Sequence, residues 1–234
     1  MKDWKEVYAS KIVTADEAIS HVKSGDKIAL THACGESQCL TNALVAQADR
    51  LENVEILHMV AMGTAPYCQP GMEAHFRHNA LFVGGSTRKA VEEGRADYTP
   101  VFFHEVPKMF RNRTIPVDVA FLQLSPPDEE GNCSYGISVD YTQAAAEAAT
   151  LKIAQINSHM PYTYGNSINV KDIDFLIPCD EELIELQPPK IGETEKKIGE
   201  YVASLIQDGD TLQLGIGAIP DAVLSFLGEK KNLG

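Results

Sequence analysis

Val22-Lys-Ser-Gly-Asp-Lys-Ile-Ala-Leu30 and Ile206-Gln-Asp-Gly-Asp-Thr-Leu-Gln-Leu214 share one pattern: an apolar residue ending a helix, Gly-Asp, then a short apolar and β-branched run. In both copies a turn of small residues follows, then a helix (Leu40 to Leu51; Asp221 to Glu229) and an Asn plus an apolar residue, Asn53-Val54 and Asn232-Leu233. A recurrence of this length predicts two similarly built domains. The plain alternative is that two unrelated helix-to-strand connections carry Gly-Asp by chance.

Outward from the first copy, the chain alternates helical and strand-like runs. Thr14-Ala-Asp-Glu17 reads as a capping box opening a helix that Gly25 closes. A strand is expected at Lys27 to His32, then the helix from Leu40, then a strand at Val54 to Met59. Further strands are expected at Ala80 to Val83, Val117 to Leu124 and Lys152 to Asn157, with helices at Thr87 to Glu93 and Tyr141 to Ala149. The run Val117-Asp-Val-Ala-Phe-Leu-Gln-Leu124 suits a strand covered on both faces, as a parallel sheet requires. The expected class is α/β with an open, mainly parallel sheet.

The acidic, proline-bearing stretch Ile177 to Lys190 can continue neither a helix nor a central strand, so it reads as an inter-domain crossover. The expected organisation is a domain over 1–188 and the start of a second over 189–234. The first copy belongs to a unit of some 180 residues and the second has run for only about 40 at Gly234, so the second domain is expected to be truncated here.

Composition narrows the partners. The 234 residues carry 33 Asp plus Glu against 20 Lys plus Arg, a formal charge of -13. Such a field repels phosphate backbones and anionic headgroups, which argues against nucleic acid or a membrane surface. No stretch approaches the roughly 20 apolar residues of a spanning helix, and the polar start Met1-Lys2-Asp3-Trp4 is unlike a signal peptide, so a cytoplasmic protein is expected. Cys34, Cys39, Cys68, Cys133 and Cys179 are scattered, without a C-x-x-C pair, which points to reduced thiols.

Two turns are placed to bind an anion. Thr211 to Val223 reads as strand, small-residue turn and helix, with Pro220 in the first helical turn; the free amides of such a turn can hold a ligand, though a tight turn without one has the same spacing. It is no dinucleotide fingerprint, because Pro220 stands where the last glycine is needed. In Leu81-Phe-Val-Gly-Gly-Ser-Thr-Arg-Lys89, Ser86 is expected to cap the following helix, and Gly85 with Ser86 can also meet a carboxylate or acyl oxygen. A third segment, Gln123 to Gly136, follows a buried strand at the end where α/β sheets bind ligands, and its run Asn132 to Gly136 suits a wall beside one. No metal is expected: His104-Glu105 lacks the second histidine of a zinc helix, and His75 and His78 read as a solvated face. Glu92-Glu93 and Asp180-Glu181-Glu182 read as solvated as well.

Taken together, Asp3-Trp4-Lys5, Thr14 to Ala18, Pro100-Val-Phe-Phe-His-Glu-Val-Pro107, Ser125-Pro-Pro-Asp128, Pro189-Lys-Ile-Gly-Glu193 and Leu212 to Val223 resemble the family I CoA-transferases of the acetyl-CoA hydrolase/transferase group. The resemblance runs over nearly all of the chain. It implies a CoA-transferase fold of two duplicated α/β domains, and transfer of CoA between acyl-CoA and a small carboxylic acid of the 4-hydroxybutyrate or acetate kind. The implied route is ping-pong through a glutamyl-CoA thioester. By resemblance, Gly215, Ile216, Gly217, Ala218 and Ile219 form the CoA-contacting segment, coenzyme A is a substrate, and no cofactor is permanently bound. Gly85 and Ser86 remain candidates for the substrate or its oxyanion. The family's nucleophilic glutamate falls a few residues past Asn232-Leu-Gly234, so no catalytic residue is expected within the chain, which alone should be inactive. Partners implied are acyl-CoA, small acids, and a homo-oligomer or a missing C-terminal half. Within the family, acetyl-CoA hydrolysis and butyrate:acetate CoA transfer are close alternatives, and two other classes compete: a non-catalytic module pairing with a separate subunit, and a phosphosugar isomerase, whose sugar phosphate needs cations that only the Ser86 to Lys89 turn supplies.

Overall fold

The computed structural model describes residues 4–234, and its contacts divide the chain between Glu185 and Leu186 into two units. The first unit carries, in order, α1 (Trp4–Val7), α2 (Ala15–Ile19), β1 (Lys27–Leu30), α3 (Gln38–Ala46), β2 (Val54–His58), β3 (Phe76–Ala80), α4 (Gly85–Glu92), β4 (Ala96–Tyr98), α5 (Val106–Arg111), β5 (Val119–Leu124), β6 (Asn132–Ser134), α6 (Thr142–Ala148), β7 (Leu151–Ile156), β8 (Ser167–Asn169) and β9 (Phe175–Pro178). Seven strands form one parallel sheet in the order β4-β3-β2-β1-β5-β7-β9, and β6 pairs antiparallel with β8 in a separate ribbon.

The apolar runs explain the centre of this sheet. All six residues of β5 are buried, as are Ile28, Ala29 and Leu30 of β1, because helices cover both faces. One face packs Ala29, Leu57, Ala120, Leu122 and Ala154 with Phe110, Tyr141 and Ala145; the other packs Ile28, Leu30, Ile56, Phe121 and Ile153 with Ile19, Leu40 and Leu44. The strand order runs outward from β1 in one direction and from β5 in the other, so the crevice at their carboxyl ends is a switch point of the kind where α/β sheets hold ligands.

Several expectations shift. Thr14 caps α2, its Oγ1 accepting from Glu17 N at 3.1 Å, but the helix stops at Ile19 rather than Gly25. The Ser20 hydroxyl donates to Glu17 O at 2.6 Å, a local bond that competes with the helix, and Gly25 instead adopts φ 84° in the turn into β1. The third strand lies at Phe76–Ala80, not Ala80 to Val83, because Arg77 and Asn79 hide its alternation; on the sheet they pair with Asp97 of β4 and Glu55 of β2. His78 is buried on the other face of β3, its Nδ1–H donating to Ile56 O at 3.1 Å, so it is not on a solvated face. Ile177 and Pro178 belong to β9, an edge strand, where a proline is tolerated. Glu181 is half-buried rather than solvated, accepting from Cys39 N and Gln155 Nε2.

The second unit holds α7 (Glu193–Leu205) and α8 (Ala218–Ser225) around a small core of Ala203, Ile206, Val223 and Leu227. Thr211 to Leu214, expected as a strand, form none among the described residues. No helix among the described residues is long and apolar enough to cross a membrane.

Candidate functional site

At the carboxyl end of β1 the chain enters the turn Thr31 to Ser37 before α3. Ser37 caps that helix, its Oγ accepting from Leu40 N at 3.1 Å. Ala33 is held at φ 53°, a conformation costly for a residue with a side chain, while its N–H donates to Val60 O at 3.1 Å. Gly35 is fixed by packing, since a Cβ there would lie 2.6 Å from Ser138 Cβ. The amides ending β5 and β7 brace the turn: Gln123 Nε2 donates to Gly35 O and Glu36 O, Asn157 Nδ2 donates to Gln123 Oε1, and Ser37 Oγ donates to Gln155 Oε1 at 2.6 Å.

Three titratable side chains lie in and beside this turn. Glu36 is 1 % exposed, and burial raises its carboxyl pKa against the lowering effect of donors from Gly63 N at 3.1 Å and Gln38 Nε2 at 2.9 Å. His58, at the end of β2, is fully buried 4.0 Å from that carboxylate and 3.3 Å from Tyr67 OH; burial drives its pKa well below the usual imidazole range, so it stays neutral. His32 donates from Nδ1 to Asp140 Oδ2 at 2.8 Å.

The next turn along the edge is Gly84-Gly85-Ser86. Gly84 is the N-cap of α4 and makes no side-chain cap bond, so Ser86 sits inside the first helical turn and is not the cap the sequence predicts. The helix starts earlier because Gly84 adopts extended backbone that ends the preceding turn against Ala61 O. Ser86 borders a shallow depression shared with Cys68, Gln69, Lys89 and Arg95. Asn132–Ser134 form β6 rather than an open wall, with Cys133, Ser134 and Tyr135 buried. Gly215, Ile216, Gly217, Ala218 and Ile219 belong to the second unit: Gly217 is the N-cap of α8 at φ 125°, and Gly215, Ile216 and Ile219 are exposed. Gly85 and Ser86 belong to the first unit.

Among the described residues, the buried side-chain atoms without a hydrogen-bond partner are His32 Nε2, His58 Nε2 and Thr87 Oγ1. His32 and His58 stand at the carboxyl ends of the neighbouring strands β1 and β2, and Thr87 lies in the first turn of α4, the helix that follows β3. Buried polar groups are otherwise paired, so this clustering marks the edge as the place built to receive something else. Sequence reasoning missed His32, Glu36 and His58, although His32-Ala-Cys-Gly-Glu36 sets two titratable groups directly after a buried strand, which was the available signal.

A doubly wound sheet with an unsatisfied carboxyl edge is shared by many enzymes, and comparison with known proteins narrows the class. The chain belongs to the acetyl-CoA hydrolase/transferase family: residues 1–187 match the acetyl-CoA hydrolase/transferase N-terminal domain. It is 57 % identical, over 99 % of its length and 54 % of the relative's, to the 4-hydroxybutyrate coenzyme A transferase of Clostridium kluyveri. It is 40 % identical, over 94 % of its length and 46 % of the relative's, to the succinyl-CoA:acetate/propanoyl-CoA:succinate CoA transferase of Fasciola hepatica. The crystal structure of 4-hydroxybutyrate CoA-transferase from Porphyromonas gingivalis superposes with a TM-score of 0.84 at 40 % identity, covering 99 % of this chain and 55 % of that one. The chain thus spans about half the length of the curated relatives it matches.

Proposed function

We propose that this chain is the N-terminal half of an enzyme that moves CoA between an acyl-CoA and a small carboxylic acid of the 4-hydroxybutyrate or acetate type. In this reading residues 1–188 are the first transferase domain and 189–234 begin the second; the protein works in the cytoplasm as a homo-oligomer or with the remaining half of the enzyme. The observation that carries it is the unsatisfied carboxyl edge of the sheet in a chain of this family. A glutamate carboxylate attacks the thioester carbon and expels CoA thiolate; the thiolate attacks the resulting mixed anhydride, releases the first acid and leaves a glutamyl-CoA thioester, which the second acid reverses.

The nucleophile comes from outside these residues, because the acids at the edge are occupied. Glu36 is buried and bonded, Asp140 holds His32, and Glu181 holds Cys39 and Gln155. Gly215 to Ile219 approach CoA through backbone amides, and Gly85 with Ser86 meet the carboxylate or its oxyanion. Assay of the enzyme completed with its C-terminal half, using 4-hydroxybutyrate, butyrate and acetate, tests the reading. Transfer to 4-hydroxybutyrate at the highest kcat/KM is expected; hydrolysis without transfer, or no turnover with any acid, contradicts it.

A further inference from the structure

His32 and Asp140 form a titratable pair that the chemistry above leaves without a task. His32 stands at the end of β1, beside the switch point, and its ring is held from several sides. Its backbone N–H donates to Ser138 Oγ at 2.8 Å and its Nδ1–H to Asp140 Oδ2 at 2.8 Å. Phe103 meets the ring edge-on with centroids 5.1 Å apart, and Tyr141 lies tilted against it at 5.6 Å. Asp140 is fixed in turn by Tyr141 N, which donates to its Oδ1 at 2.6 Å, and the Tyr141 hydroxyl donates to Leu30 O at 2.8 Å. Turning the imidazole to find another partner would break the Asp140 bond. Nε2 is nevertheless buried and bonded to nothing.

The tautomer follows from the partner. A carboxylate only accepts, so Nδ1 carries the hydrogen and a neutral ring presents a bare lone pair at Nε2. The group that completes this site is a hydrogen donor brought by a ligand. We propose that His32 Nε2 accepts a hydrogen bond from the hydroxyl of a hydroxy-substituted short-chain acyl group, and so separates hydroxy acids from their deoxy counterparts. This assignment rests on the reading of the chain as half of an acyl-CoA transferase. Acetyl and butyryl groups carry no such donor and leave Nε2 unpaired. Leaving a buried acceptor unsatisfied costs about 1–3 kcal/mol, so the discrimination is on the order of tenfold or more.

Two substitutions test it. In His32→Asn the amide can keep the bond to Asp140 while the Nε2 end of the ring is gone; in His32→Gln the longer amide reaches toward the Nε2 position. In the completed enzyme, the ratio of kcat/KM for 4-hydroxybutyrate to that for butyrate should fall about tenfold in His32→Asn and recover in part in His32→Gln. An unchanged ratio, or equal loss for both acids, overturns the assignment while leaving the transferase reading standing. Loss of turnover with every acid in the unsubstituted enzyme strikes that reading instead. A second measurement needs no turnover: in the completed enzyme labelled with 15N-histidine, the His32 Nε2 resonance should move on addition of 4-hydroxybutyrate and stay in place with butyrate. Identical responses to the two acids overturn the proposal whatever the activity.

Discussion

The two copies of the helix, Gly-Asp, strand pattern reach the same turn and different strands. In both, the aspartate carboxylate accepts from the backbone N–H three residues earlier, Lys23 to Asp26 and Gln207 to Asp210, at 2.8 Å. Gly25 and Gly209 sit at φ 84° and 88°, Asn53 and Asn232 at 55° and 56°. Gly25 N donates to Glu52 O and Gly209 N to Lys231 O, each at 2.9 Å. Even the cation that closes the helix recurs, Arg50 on Val22 O and Lys230 on Ile206 O. Beyond the turn they part. Lys27–Leu30 is a strand between β2 and β5, while Thr211 to Leu214 are largely exposed. The turn is made by bonds within a few residues and by positive-φ positions, so local sequence is sufficient for it. A strand is stabilised by neighbours on either side, which local sequence does not supply.

The largest expected effect on this comparison is from acid. Every histidine of the chain precedes Leu186, so only the first unit titrates this way. Burial pulls His78 from 6.5 to about 4 and His58 well below its usual value. A lowered folded-state pKa contributes stability that is present above pH 6.5 and lost as pH falls toward the folded value; for His78 this is about 3 kcal/mol. Hydrogen exchange between pH 7 and 4 should show the first unit losing protection while α7 keeps its own, and His78→Gln should flatten that slope. Parallel loss in both units would break the contrast.

A comparable effect, on rate, is expected at the two turns proposed to meet ligand. A lost donor at an oxyanion costs about 3 kcal/mol, roughly a hundredfold, so Ser86→Ala in the completed enzyme should slow transfer by that order. Because Gly84 rather than Ser86 is the cap, the melting temperature should not move. Gly217→Val meets no neighbouring atom at its Cβ but is strained at φ 125°, so it should slow transfer and also lower the melting temperature, without unfolding the protein. A melting shift without rate loss would return either residue to a structural role.

How much was legible follows from the same contrast. β1, β2, β5 and β7 were readable because buried apolar runs name themselves, as Val119 to Leu124 does. β4, β6 and β8 were not: each is three residues long, and Asn132-Cys-Ser134 looks like any polar turn until Ser167–Asn169 pairs with it. The glycine turns were visible as turns, since small residues mark tight backbone, and their part in a site is a proposal. Glu36 and His58 were hidden, because a buried polar residue and a solvated one are the same letter until their partners are known.

Packing effects come next in size. Gly35→Ala drives a Cβ toward Ser138 and should cost about 1–3 kcal/mol by thermal melting, whereas Gly228→Ala in the second unit meets open space and should be near neutral. Equal costs would remove packing as the reason for Gly35. The smallest effect sharpens the repeat itself: Asp26→Ala and Asp210→Ala each lose one side-chain acceptor, about 1 kcal/mol. Faster exchange of the Lys23 amide in one variant and the Gln207 amide in the other is expected, and no change at either site would deny the turns their shared cause.

On the proposed reading, this chain supplies the receiving edge of a CoA-transferase and the C-terminal half supplies the nucleophile. Intact-mass spectrometry after incubation with acyl-CoA tests it most directly, and borohydride, which reduces a glutamyl-CoA thioester to the alcohol and releases CoA, should then remove the added mass. The 234-residue chain alone should show no CoA-sized adduct, and the enzyme completed by its C-terminal half should show one on a glutamate of that half. A CoA-sized increase on an acidic side chain of this chain would contradict the account.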